Sequence, residues 1–580
     1  MPGSGSDIKF GVICAGGKLA AWQASCVQQA VAIAGVDLAL VVNESSAQEV
    51  AKDDDLTSSA AEKRHSRKLV SQSSRNVGSE TLVTTSGGEL INDVEVMECR
   101  VFDRESGGFE FAAADVRTIA DCNLEFLIRF GPGRPSGGIL GAATHGVWIF
   151  QLGDDEFAEG PPGFWEILLG RQTSTVSLRG LGRRHEDDYC VLREARFRTL
   201  DASYRGQTEL MLNEGSRLLA QACKDLLVGE LRLRTAVAKG QASKRGAPGY
   251  LLGLWFSLLL KRNKIRNLYQ RFITHRHWGL AIAFSPVEEL WQQPRQSRVV
   301  FLPSPARNSF HADPFGLEDD NGLSILHEQW SNASMSGGIA GFFIDRATLE
   351  RFKSAKQPQA AVKMPAESIP VNINYSHHCS YPYLFQYEGE NYCIPETSEG
   401  ARVSLYKQSG GPGEWQYLAD IISDIAAVDS TVIRFQGRWW LFCTNLNDSP
   451  DSHLYLWHAE DLLGPWREHQ NNPVKMDVCS ARPAGTPFEY KGSLYRPTQD
   501  CSANYGGAIS VQRIIELTPE RFHEEFCGDL NGLAETIGVD GMHTLSVVGD
   551  LTLLDYYRRA FLPGIFLYRL KLYLKARRKR

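Results

Sequence analysis

An α/β domain followed by an all-β five-bladed propeller is the fold class this sequence predicts. Three observations predict it. At 580 residues the chain is too long for one ordinary domain. Its first part alternates continuous apolar runs with helical spacing. Its second part carries short aromatic strands punctuated by turn glycines at a regular interval.

In the first part, Lys9 to Cys14 reads as a buried strand closed by Gly16-Gly17. Leu19 to Ala34 has helical spacing, and Val36 to Val42 is again continuously apolar. Strand, helix and buried strand in that order predict a parallel sheet. Ser45 to about Gly88 is polar and Ser-rich, as expected of a mobile insertion. Residues 1–238 are assigned to this domain and 239–275 to a linker. The linker begins with Gly, Ala, Ser and Lys. It then becomes an apolar helix flanked by Lys261, Arg262, Lys264 and Arg266. A helix of that kind either lies on an anionic membrane surface or packs between domains. Its most apolar stretch, Gly249 to Leu260, is too short to span a bilayer.

Residues 276–556 are assigned to the propeller. Gly322, Gly389, Gly437, Gly492 and Gly549 each follow a hydrophobic strand, on average about 57 residues apart. Five glycine hairpins imply five blades. The tail, 557–580, is aromatic and basic and ends KARRKR. It is either solvated or in contact with acidic lipid head groups.

Composition narrows the function classes. Hydrophobic residues make up 43% and charged residues 22%, a globular balance. The net charge of −6 argues against a nucleic-acid-binding body. The 12 cysteines lack CxxC or finger spacing, so structural zinc is not expected, nor a disulfide framework. No charged segment followed by an apolar one opens the chain, so no signal peptide is expected. A cytoplasmic location follows, with contact at the inner face of a membrane through the linker helix and tail as an extension.

The stretch Leu124 to Phe197 contains FLIRFGPG, GVWIFQLGDD, GPPGFWEILLGRQTSTVSL and CVLREARF. This order resembles the formyltransferase fold, which moves a formyl group from 10-formyltetrahydrofolate to an amine. The resemblance implies a Rossmann-like domain with an Asn, a His and an Asp at its site. Placed on this chain, Ile149 takes the Asn position, Gln151 the His position and Asp187, or its neighbour Asp188, the Asp position. Isoleucine donates no hydrogen bond and glutamine does not titrate near neutral pH. The expected domain is therefore a degenerate one that keeps a scaffold or nucleotide-sugar-binding role.

In the propeller, four acids take similar places in the repeat. Asp313 and Asp429 lie shortly before their turn glycines, while Glu396 and Asp500 lie shortly after theirs. Isolated acids in aromatic strands are costly to bury without a purpose. Converging on one funnel, they would grip sugar hydroxyls or manage protons. His311-Ala-Asp-Pro-Phe and Ala427-Val-Asp-Ser resemble the first- and third-blade motifs of family 43 glycoside hydrolases. That resemblance implies Asp313 as base and Asp429 as the acid that orients the proton donor. SYPYLFQYEGENYCIPETSEGARVSLY, AVDSTVIRFQGRWWLFCT and SARPAGTPFEYKGSLYRPTQDCSANYGGAI resemble the N-terminal domain of the glucosamine inositolphosphorylceramide transferases, over about residues 275–555. Pairing with a formyltransferase-like domain implies a bacterial source.

The fourth blade reads Ser480-Ala-Arg-Pro, with no carboxylate where family 43 hydrolases carry their general acid. Glu396 is the substitute donor, and Arg482 suggests recognition of an anionic group. His311, His378, Asp500 and His543 complete the expected substrate-binding set. No metal and no cofactor are expected, with 10-formyltetrahydrofolate as the alternative. Trp330, Trp439, Trp440 and Trp466 are candidates for stacking on sugar rings. The expected function is to make or break a glycosidic bond in surface-glycan or glycolipid assembly. The substrate would be a sugar, a nucleotide sugar or a lipid-linked glycan. The alternatives are sugar N-formylation and non-catalytic glycan binding.

Overall fold

The computed structural model describes residues 7–15, 18–46, 79–81, 94–103, 108–131, 133–157, 160–182, 189–229, 231, 234–235, 248–304, 309–331, 336–355, 364–560 and 566. The chain forms two compact units, Met1–Lys264 and Ile265–Arg580. Most of the Ser-rich stretch, Asp187 with Asp188, and most of the basic tail lie outside the described residues.

The first unit is built on a nine-stranded mixed sheet. Five consecutive strands in it run parallel, in the spatial order Glu95–Asp103, Val36–Ser46, Ile8–Ala15, Phe126–Phe130 and Val147–Leu152. Phe10, Phe126 and Trp148 come from three of these strands and stack with ring centroids 5.1 and 3.8 Å apart. All three are buried, as strands covered on both faces require. The helix Ala21–Val31 is shorter than its sequence spacing suggests, because Lys18–Ala20 forms a short strand.

The second unit is a five-bladed propeller, one four-stranded sheet to a blade, with a fifth short strand added in the third. The blades begin with the strands Ser309–Asp319, Ser380–Tyr387, Ala427–Phe435 and Phe488–Tyr490. The closing blade joins both ends of the unit. In it His275–Ala283 pairs antiparallel with Leu551–Ala560, and Leu545–Val548 lies innermost. That pairing closes the ring and leaves no free edge between first and last blade.

Three hairpins explain the glycine spacing. Glu388-Gly389, Gln436-Gly437 and Lys491-Gly492 are two-residue turns with positive φ at both positions. This is the turn whose twist matches the flanking strands. A second repeat feature was not visible in the glycines. The leading strands of the first three blades each carry a bulge, with Asp313, Tyr381 and Asp429 at φ of 53°, 44° and 53°. Positive φ is costly for residues with a Cβ. Here it turns three buried side chains out of the strand's alternation at equivalent points of the ring.

The two kinds of glycine should respond differently to alanine. At Gly437 a Cβ meets nothing within 4 Å, so Gly437→Ala should cost about 1 kcal/mol of backbone strain. At Gly485 a Cβ would sit 1.6 Å from the Leu545 carbonyl oxygen. Gly485→Ala should therefore lower the melting temperature of the full chain far more than the roughly 2 °C expected for Gly437→Ala. Equal shifts would show that blades four and five do not meet at Gly485.

Candidate functional site

The bulged strands bring acids to one place. Asp313, Glu328, Asp429 and Asp555 are buried, and Glu396 is partly exposed. Asp429 donates its backbone N–H to Glu396 Oε2 at 3.1 Å. Asp555, on the last strand, accepts the backbone N–H groups of Asp313, His543 and Thr544 at 2.9–3.1 Å. Thr544 Oγ1 donates to Asp313 Oδ1 at 2.6 Å. A single carboxylate thereby pins the start of the first blade to the end of the fifth.

Two basic side chains sit among these acids. Arg482 donates from Nε to Asp429 Oδ2 at 2.6 Å and from Nη1 to Asp451 Oδ1 at 3.3 Å. Its guanidinium lies 4.7 Å above the Tyr505 ring. His543 bonds Asp555 through Nδ1 and stands 3.7 Å from Asp313 through Nε2. Trp278 stacks on its ring at 4.1 Å and Tyr505 meets it edge-on at 5.3 Å.

The surroundings push the ionisation states apart. Burial, with Asp555 and Asp429 nearby, moves the Asp313 carboxyl up to about 6 against the pull of His543 and Thr544. Burial and the Asp429 charge move Glu396 up to about 8, with Arg482 opposing. Burial and the neighbouring carboxylates hold Glu328 well above the usual carboxylate range. Burial disfavours the His543 cation, yet Asp555 and Asp313 hold it above its ordinary value.

A second ion pair supports the floor. Arg496 is bidentate to Glu524 at 3.0 and 2.7 Å, and donates to the carbonyls of Ser480 and Ala481 at 2.7 and 3.0 Å. Lys475 adds a bond to Glu524 at 2.8 Å. Burial alone would raise the Glu524 carboxyl, but Arg496 and Lys475 hold it below its ordinary value. This pair fixes the carbonyls just before Arg482, and hence where Arg482 points.

Several expected residues stand elsewhere. His311 is buried against His327 and Phe342, at 4.4 and 5.3 Å, and burial lowers its ring to about 3. It is a core residue beside the bulge rather than a member of the cluster. Asp500 caps a turn by accepting the Ser502 N–H at 2.9 Å. Strand alternation instead presents Gln499, which donates to Asp429 Oδ2 at 2.9 Å. Arg482 is committed to two carboxylates, Asp429 and Asp451. His378 accepts the Gly337 N–H through Nδ1 and turns Nε2 toward Glu328 at 3.8 Å. Trp439 and Trp440 belong to the core, Trp466 is half-buried, and half-exposed Trp330 lies edge-on to His378 at 5.7 Å.

Sequence reading missed Glu328, Gln499, Thr544 and Asp555. Asp555 had a signal, a lone acid in the apolar run Leu551-Thr-Leu-Leu-Asp-Tyr-Tyr. In the first unit, Ile149 packs against the hydrophobic core and Gln151 is half-buried on the strand Val147–Leu152. A formyltransferase site is not evident there, and the sheet order alone carries no activity.

Residues 303–528 match the family described as glucosamine inositolphosphorylceramide transferase 1, N-terminal. Among curated proteins, the enzyme of that name from Oryza sativa subsp. japonica is 32% identical over 224 residues, 37% of this chain and 28% of the rice protein. The Arabidopsis thaliana protein is 32% identical over 230 residues, 39% of this chain and 28% of its own. The matched part of the chain thus spans little more than a quarter of the relatives' length. These relatives are plant proteins, which overturns the bacterial source expected from the domain pairing. Structures that align with the chain include Zg3597, a family 117 glycoside hydrolase of Zobellia galactanivorans. It is 14% identical over 38% of this chain and 69% of its own, with a TM-score of 0.28. An α-L-arabinanase of Cellvibrio cellulosa is 12% identical over 37% and 76%, with a TM-score of 0.26.

Arg482→Met would leave Asp429 buried with its main counter-charge gone. It should destabilise the chain by about 3–5 kcal/mol. Adding Asp429→Asn should recover a large part of that loss in thermal melts. A single variant that melts like the parent would refute the pairing.

Proposed function

We propose that the propeller makes or breaks a glycosidic bond at the axial carboxyl cluster, acting on a sugar, nucleotide sugar or lipid-linked glycan. The observation that carries this reading is one cluster holding buried Asp313 and Asp429 with the partly exposed Glu396, in surroundings that drive the first and last to different ionisation. Pairs of carboxyls driven apart in this way divide acid and base roles at neutral pH. Glu396 keeps its proton and donates it to the departing glycosidic oxygen. Asp313 is the group that ionises first and takes the proton of the attacking water or hydroxyl. Asp429, fixed by Arg482 and Gln499, orients Glu396 through its backbone N–H. His543 and Thr544 hold Asp313, so they are positioning residues. Trp330 offers an aromatic face for a sugar ring. No cofactor and no metal enter this reading. The name shared by the plant relatives supports a glycolipid context for the substrate, and the glycoside chemistry rests on the cluster. An intracellular location is part of this reading, and it rests on twelve cysteines scattered along the sequence without paired spacing.

A specific observation favours a second reading, non-catalytic glycan binding. The proton donor expected in the fourth blade is absent, and the residue there, Arg482, is neutralised within the protein.

The test is turnover of aryl glycosides and nucleotide sugars by the full chain. Activity should rise with pH through about 6 as Asp313 ionises and fall through about 8 as Glu396 loses its proton. Glu396→Gln should remove the alkaline limb, and it and Asp313→Asn should each lower kcat about 10²–10⁴-fold. Saturable sugar binding that survives both substitutions, with no turnover at any pH, would favour the binding reading instead.

A further inference from the structure

The helix Tyr250–Ile273 presents two faces with different neighbours. One face belongs to the first unit. There Phe256 packs with Phe157, Phe164, Trp165 and Ile167, and Asn263 donates to the Asp201 carbonyl at 3.0 Å. Helical spacing puts Leu251, Leu254, Trp255 and Leu258 on the opposite face. These are 79%, 49%, 60% and 58% exposed. Four adjacent large apolar side chains left to water on an anchored helix need a partner.

The charges say which partner. The helix contains no Asp or Glu, while Lys261, Arg262, Lys264, Arg266 and Arg271 are all basic. They stand on a chain whose net charge is −6. Lys261 and Arg262 fall within the apolar stripe, and Lys264 and Arg266 fall on its two sides. A second copy of the helix would set these cations against one another with no acid to pair them. An anionic lipid surface meets both demands. The apolar side chains enter the acyl boundary and the long basic side chains reach up to the head groups. Among the described residues no helix is long and apolar enough to cross a membrane, so the helix would lie in the interface.

We propose that this helix is a docking surface for anionic membranes, through Leu251, Leu254, Trp255 and Leu258 with Lys261, Arg262 and Lys264. The proposal is independent of the glycosidic chemistry above.

Vesicle flotation of the full chain tests it, using phosphatidylcholine alone and phosphatidylcholine mixed with phosphatidylserine. The chain should float with the mixed vesicles only, and less so at high salt. Leu254→Ser/Trp255→Ser/Leu258→Ser should weaken partitioning at least about tenfold. Lys261→Gln/Arg262→Gln/Lys264→Gln should weaken it about a hundredfold. All six positions are exposed, so both variants should melt like the parent. A full chain with Lys575, Arg577, Arg578, Lys579 and Arg580 changed to Gln should still bind. The proposal fails if the parent binds neither vesicle, or if binding follows the tail and ignores the helix. It also fails if the serine variant instead turns a dimer into a monomer in light scattering.

Discussion

Five carboxyl groups share the axis of the propeller with Arg482 and His543. In a low-dielectric interior that imbalance cannot stand as bare charge. Protons must neutralise the remainder, and the geometry decides where they reside. Arg482 takes Asp429, and His543 bridges Asp555 and Asp313. Burial and the neighbouring carboxylates hold Glu328 and Glu396 above the usual carboxylate range. The same constraint organises the fold. Asp555 gathers three backbone N–H groups from two blades, so the charge that must be compensated also fastens the ring.

The bulges are what make this arrangement possible. In a regular strand, side chains alternate, and an acid facing the axis is flanked by residues facing away. A residue at positive φ breaks that alternation. Asp313 and Asp429 use the break to reach the axis, while Tyr381 at the equivalent point donates to or accepts from Thr431 at 3.0 Å. The ring thus carries the same strained backbone in three blades with different chemistry at its tip. Strain of this kind persists only where the surroundings over-determine it, and here buried hydrogen bonds do so.

This explains what could be read in advance. The blade count followed from glycines, because a two-residue hairpin turn demands positive φ and only a few residue types supply it. Asp313, Glu396 and Asp429 were legible as lone acids in aromatic or apolar stretches, and His543 only through the family resemblance. Asp500 and His311 were not separable from them, because one residue of register or one bulge reverses the facing of a side chain. Gln499 lay hidden next to Asp500 for that reason. In the first unit the strand, helix and strand order was legible from periodicity alone. Periodicity says nothing of chemistry, so the formyltransferase-like motif order could not carry an activity once Ile149 and Gln151 occupied its polar positions.

In the fourth blade one ion pair positions another. Arg482 is held in place by Arg496 and Glu524 through the carbonyls of Ser480 and Ala481. Such a support is disproportionate for a residue with no role. An arginine at that point draws Asp429 into a firm ion pair. Asp429 offers its backbone N–H to Glu396, and this bond together with Arg482 opposes the rise that burial and the Asp429 charge impose on that carboxyl. Asp313 and Glu396, contributed by different strands, are driven to different ionisation, the first moved up to about 6 and the second to about 8.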